Sequence, residues 1–188
     1  MHVALPKTRT GSSGVKLPPG EQRIGFLAAG RDESLGYVGG YLLTTARGRP
    51  LEFHYTTPVK PSATHRILYG VELEPYIFGE LIAANLIRQS AIEPSFIITD
   101  QPRVLDQRPA SSCPILCVAP EAAATAETAD AAEKPRSELV AHADYPQDAD
   151  SLTAWLAEAN PGLNVREPFG RLWAAVREVL SGDAKLAA

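Results

Sequence analysis

The sequence predicts an α/β domain: a mixed sheet of about five or six strands, opening on an N-terminal antiparallel meander, with one main crossover helix and two C-terminal helices. Three observations carry this reading. Short apolar runs separated by turn residues fill positions 23–57, a long helical stripe over 73–90 leads straight into a continuous apolar strand at 95–100, and two amphipathic segments close the chain after Ser151.

The first strand is the run from Arg23 to Gly30, ended by the polar Arg31, Asp32, Glu33 and Ser34. A second covers 36–45 and is expected to bulge or weaken at its glycine pair, Gly39 and Gly40. Turn chemistry at 46–50 precedes a third, over 51–57, whose alternation assigns Leu51, Phe53 and Tyr55 to one face. Residues 62–70 read as a short helix capped by Ser62 and stopped by Gly70, although His65, Ile67, Tyr69, Val71 and Leu73 also alternate as a strand would. The clearest helix follows. Glu72 and Glu74 lie at its positive end, Pro75 in its first turn and Arg88 near its negative end, and Leu73, Ile77, Leu81 and Ala84 form its apolar stripe.

Glu93 and Pro94 break that helix, and the strand at 95–100 has the unbroken apolar centre of a position covered on both faces. A helix between two strands implies a crossover with parallel pairing. A helical turn at 101–108, a strand at 114–119 and an edge strand near 138–143 complete the sheet, and helices are expected over 151–159 and 168–180 with Trp155 and Trp173 as anchors.

Five stretches follow from this reading. Residues 1–22 form a flexible leader, 23–119 the α/β core, 120–136 a low-complexity acidic linker or insertion without large apolar groups, 137–182 a C-terminal strand and helices that dock on the core or on a partner, and 183–188 a tail. With 45% hydrophobic and 21% charged residues, the chain can bury a core. The net charge of -4 divides into a basic start (Lys7, Arg9, Lys16, Arg23 and Arg31 against Glu21) and an acidic stretch over 120–150. That basic start lacks the clustering and aromatic interleaving of a nucleic-acid platform, so no nucleic-acid partner is expected. No membrane span is expected either, and Met1 to Pro6 carries no apolar leader, so residence in the cytoplasm is the expectation.

Cys113 and Cys117 stand four apart in an extended run, about 13 Å from each other along a strand and too far for a disulfide. They read as two buried thiols. The strand-to-helix junction holds the most suggestive polar cluster: Lys60, Ser62, Thr64, His65 and Arg66, joined by Asp100 if both strands end on the same carboxyl edge. An anionic small molecule is the ligand such a cluster would take. Glu52 and His54, on one face of a strand, place a carboxylate beside an imidazole. His142 and Asp144 lack the further ligands a metal needs, and no cofactor motif is present.

The leading functional expectation is a protein-interaction or scaffold module without intrinsic catalysis, using Trp155 and Trp173 toward a protein partner. The alternative is a small enzyme or ligand sensor that binds an anion at the carboxyl edge. Convergence of Lys60, His65 and Asp100 on one concave pocket would favour the second.

Overall fold

The computed structural model describes residues 8–12, 22–119 and 139–186. Its centre is a seven-stranded mixed sheet in the order β1-β4-β3-β2-β5-β6-β7. The strands are β1 (Thr8–Ser12), β2 (Arg23–Asp32), β3 (Gly36–Thr45), β4 (Pro50–Thr56), β5 (Phe96–Thr99), β6 (Ile115–Val118) and β7 (Leu139–Ala141). Strands β2, β3 and β4 form the expected antiparallel meander. The chain then crosses over β3 and β2 to lay β5 parallel to β2, adds β6 parallel to β5, and closes that edge with antiparallel β7.

The crossover contains α1 (Ala63–Tyr69), a single 3-10 turn (Gly70–Glu72) and then α2, which is built from three contiguous pieces, Leu73–Pro75, Tyr76–Ala83 and Ala84–Gln89. The middle piece is wound as a π-helix, a local widening that the apolar pattern alone does not announce. A 3-10 segment, Pro102–Ala110, links β5 to β6. Helices α3 (Gln147–Ala159) and α4 (Glu167–Leu186) end the described chain.

Because successive strand side chains point to opposite faces, the sheet supports two cores. Leu27, Tyr41, Leu43 and Ile97 meet Ile77, Phe78, Leu81, Ile82 and Leu86 of α2 on one side. On the other, Phe26, Val38, Leu42, Ile98 and Leu116 meet Leu152 and Leu156 of α3 and Phe169, Leu172 and Val176 of α4. The doubly covered position expected for β5 is observed, since Phe96 and Ile98 belong to one core and Ile97 to the other. The C-terminal helices are therefore the second cover of the sheet. Arg108 fastens their start to the rest by donating to both carboxylate oxygens of buried Asp148 while lying 4.2 Å over the Tyr145 ring.

Four expectations differ from what is observed. The glycine pair of β3 does not bulge: pairing with β2 runs unbroken through Gly39 and Gly40. Their role is clearance on opposite faces, because a Cβ on Gly39 would lie 2.3 Å from Ile82 of α2 and one on Gly40 2.6 Å from Val176 of α4. The irregularity falls instead between Leu43 and Thr44, which pair with Glu52 and Pro50 and leave Leu51 as the extra residue. That bulge turns Leu51 into the α2-side core while Phe53 and Tyr55 pack on the other side, so the three do not share a face. Strand β1 lies inside the stretch read as a flexible leader, paired along β4. Helix α4, last, continues to Leu186, into the stretch read as a tail. The remainder of the leader and the low-complexity stretch 120–136 lie outside the described residues.

Candidate functional site

The junction after β4 folds into α1 for local reasons. Ser62 is extended and caps the helix: its hydroxyl accepts from the His65 amide at 3.3 Å, while Nδ1 of His65 accepts from the Ser62 amide at 3.2 Å. This is a capping box with histidine where glutamate or glutamine is usual. At the other end Gly70 adopts φ +52, a conformation that favours glycine, and its amide closes on the Arg66 carbonyl. The stacked rings of Tyr69 and Tyr76, 4.7 Å apart, hold the end of α1 against α2.

What is unusual about α1 is its outer surface. The helix fully buries none of its residues; Ile67 is 81% and Leu68 74% exposed, and Val71 in the 3-10 turn that follows is 87% exposed. These three large aliphatic side chains are flanked by exposed Arg66 on one side and exposed Glu72 on the other. Single exposed apolar residues are ordinary, whereas three large ones within five positions are less so.

The structure disperses the residues expected to hold an anion. Ser62 and His65 bond to one another in the cap, which occupies amides that an anion would need. Lys60 lies along Gly36 at the start of β3, and Thr64 and Arg66 are exposed on α1. Asp100 has other partners. Its carboxylate accepts from Nε1 of Trp173 at 2.8 Å and from the Ala29 amide at 3.1 Å. Burial raises its pKa above the usual carboxylate range, and those two donors partly offset the rise.

A cavity of about 190 Å³ does open at the carboxyl edge, between the β2–β3 turn and α4. Its walls include Leu35, Val38 and Trp173, with Arg31, Asp32 and Arg177 at the rim, and none of the six junction and strand-end candidates lines it. Asp32 is engaged in its own turn, accepting from the Ser34 amide and hydroxyl and from the Leu35 amide, and those bonds hold its carboxyl below the usual range. The volume falls short of the roughly 300–1,000 Å³ typical of small-molecule sites.

The Glu52 and His54 pair forms at 3.2 Å, but both groups are buried and Glu52 also accepts from the Ser90 hydroxyl at 2.7 Å and the Ala91 amide at 3.2 Å. The carboxylate thereby ties β4 to the end of α2. Cys113 and Cys117 are free and buried, and burial pushes the Cys117 thiol up to about 11 and raises that of Cys113 as well, the opposite of nucleophile activation. Nδ1 of His142 accepts from the Asp144 amide, and among the described residues no group of three or more His, Cys, Asp or Glu could hold a metal ion. No described helix is long and apolar enough to cross a membrane.

The two tryptophans expected at a partner surface are half-buried with internal ring contacts: Trp155 against Phe96 at 5.5 Å, Trp173 on Asp100 and over Gly30. The exposed residues that sequence reasoning missed are Ile67, Leu68 and Val71. Their signal was present, because a helix over 62–70 too short to bury a stripe leaves its apolar side chains outside, but alternation through the same residues obscured it. No model of a known protein family matches the chain, and neither does any curated protein.

Proposed function

We propose that this chain is a protein-interaction module that docks through the outer face of α1. The observation that carries the reading is the exposure of Ile67 and Leu68 on α1 and of Val71 in the turn after it, none of which belongs to either core. Covering such side chains removes apolar surface from water at about 25 cal/mol per Å², a gain the isolated fold leaves unused. The protein acts in this reading by association rather than catalysis, and free buried thiols suit it to a reducing cytoplasm.

The test is Leu68→Asp combined with Ile67→Asp. Neither side chain is buried, so the monomer's stability is expected to stay within about 0.5 kcal/mol of wild type in a denaturant melt. Association measured on the immobilised chain is expected to disappear. A large loss of monomer stability, or association untouched by both substitutions, would count against this surface.

A further inference from the structure

We infer that the cavity at the carboxyl edge binds a free amino acid with a branched aliphatic side chain, its ammonium on Asp32, its carboxylate on Arg177 and its side chain against Trp173. The inference is independent of the docking role proposed for α1, no residue of which lines the cavity. Trp173, Val176, Arg177 and Leu180 recur at intervals of three and four along α4, so one stripe of the helix brings an aromatic ring, two aliphatic side chains and a cation to the same opening. Leu35 and Val38 face that stripe from the β2–β3 turn and from β3. Donation to Asp100 fixes the indole, so this wall is set before anything enters. The position, outside the carboxyl end of a strand paired in parallel on one side, is where open α/β sheets bind their ligands.

Volume selects the size of the ligand. About 190 Å³ is too small for a drug-sized compound, yet larger than the roughly 150 Å³ apolar cavity that takes one benzene ring, which leaves room for a single aliphatic side chain. Charge selects its kind. Oδ1 of Asp32 takes all three bonds of its turn, and among the described residues Oδ2 has no donor. The turn thus holds the carboxylate oriented with one oxygen left over. Arg177 makes no hydrogen bond or ion pair among the described residues, although it is near enough to Asp32 to favour its ionisation. The two are neighbours that do not touch. Arg31 is turned to the opposite face of the sheet, where its guanidinium lies 5.6 Å over the Tyr37 ring. What remains at the mouth is one acceptor and one forked donor above an apolar hollow. An α-amino acid matches this pattern, because its ammonium and carboxylate share the carbon that bears the side chain. A ligand with either charge alone leaves the other group without a partner.

L-leucine is the probe, and the reporter is the indole N–H resonance of Trp173 in the isotopically labelled full chain, assigned by its loss in Trp173→Phe. A saturable shift is expected. Glycine keeps both charges and lacks the side chain, and is expected to bind at least about a hundredfold more weakly. N-acetyl-L-leucine and L-leucinamide each lack one charge, and are expected to bind about tenfold more weakly. Asp32→Asn, which keeps an acceptor for the turn, and Arg177→Gln change exposed positions, and unchanged melts establish that both variants fold. Each is expected to weaken L-leucine about tenfold, and the losses pair: Asp32→Asn removes the preference for L-leucine over N-acetyl-L-leucine, and Arg177→Gln the preference over L-leucinamide. No saturable shift with L-leucine overturns the site. Equal binding of either singly charged analogue by wild type, or L-leucine binding indifferent to both substitutions, overturns the amino-acid reading. Glycine binding as tight as that of L-leucine overturns the role of the hollow.

Discussion

Asp100 illustrates how a residue can be placed correctly and assigned wrongly from local sequence. It does leave β5 at the carboxyl edge, as expected, but its carboxylate serves Trp173, whose indole comes from a helix 73 positions further on. No local pattern encodes that bond. Its consequence is a pH-dependent contribution to stability. A carboxyl whose folded pKa is raised holds its proton more tightly in the native state, so its contribution is fully present below the unfolded pKa and declines as pH rises through the folded one. The indole N–H lowers that folded pKa, and Trp173→Phe removes it. The variant's deficit relative to wild type is expected to be smallest in acid and to grow toward neutrality, where the carboxylate has lost a donor, by about 1–3 kcal/mol. Denaturant melts between acid and neutral pH measure it. A deficit that does not change with pH would mean that the ring's packing, not its bond to Asp100, is what Trp173 contributes.

Elements with strong apolar periodicity were legible and those defined by backbone geometry were not. Strands β2, β3 and β5, the span of α2 and the two C-terminal helices follow from patterns that the cores then use. Strand β1 is the sequence Thr-Arg-Thr-Gly-Ser, which pairs with β4 through its backbone and carries no hydrophobic alternation to betray it. The π-helical piece of α2 and the bulge at Leu51 likewise depend on fit to neighbours. Helix α1 is the opposite case, its capping signals being local and readable. Since α1 reaches the core through half-buried Tyr69 and no fully buried residue, those caps act mainly on the helix itself, and Ser62→Ala tests this. The substitution is expected to cost α1 about 1 kcal/mol of local order, seen as faster hydrogen exchange at its amides, with little change in the global melting temperature. A matching drop in global stability would show that α1 is cooperative with the cores after all.

At the scale of the molecule, the decisive feature is that one sheet is covered on both faces by elements far apart in sequence. The α2 side is complete by residue 119, which is why 23–119 reads as a self-sufficient core and the C-terminal segment as something docked upon it. The other side contradicts that independence. Among the described residues, Phe26, Val38, Leu42, Phe96, Ile98, Leu116 and Val118 are covered by α3, α4 and the loop between them, and Phe26 meets the Phe169 ring edge-on at 5.7 Å. A chain ending at residue 146 keeps every strand and α2 but leaves this face open to water and removes Asp148 from Arg108. Exposed apolar side chains on that scale forfeit about 1.5–3 kcal/mol each, so their sum is comparable to or larger than the net stability of roughly 5–15 kcal/mol of an ordinary domain. The truncated chain is expected to aggregate or to bind hydrophobic dyes without a cooperative melt, read by near-ultraviolet circular dichroism and thermal unfolding against the full chain. A cooperative melt near that of the full chain would restore the boundary at 119 and reduce α3 and α4 to an appendage.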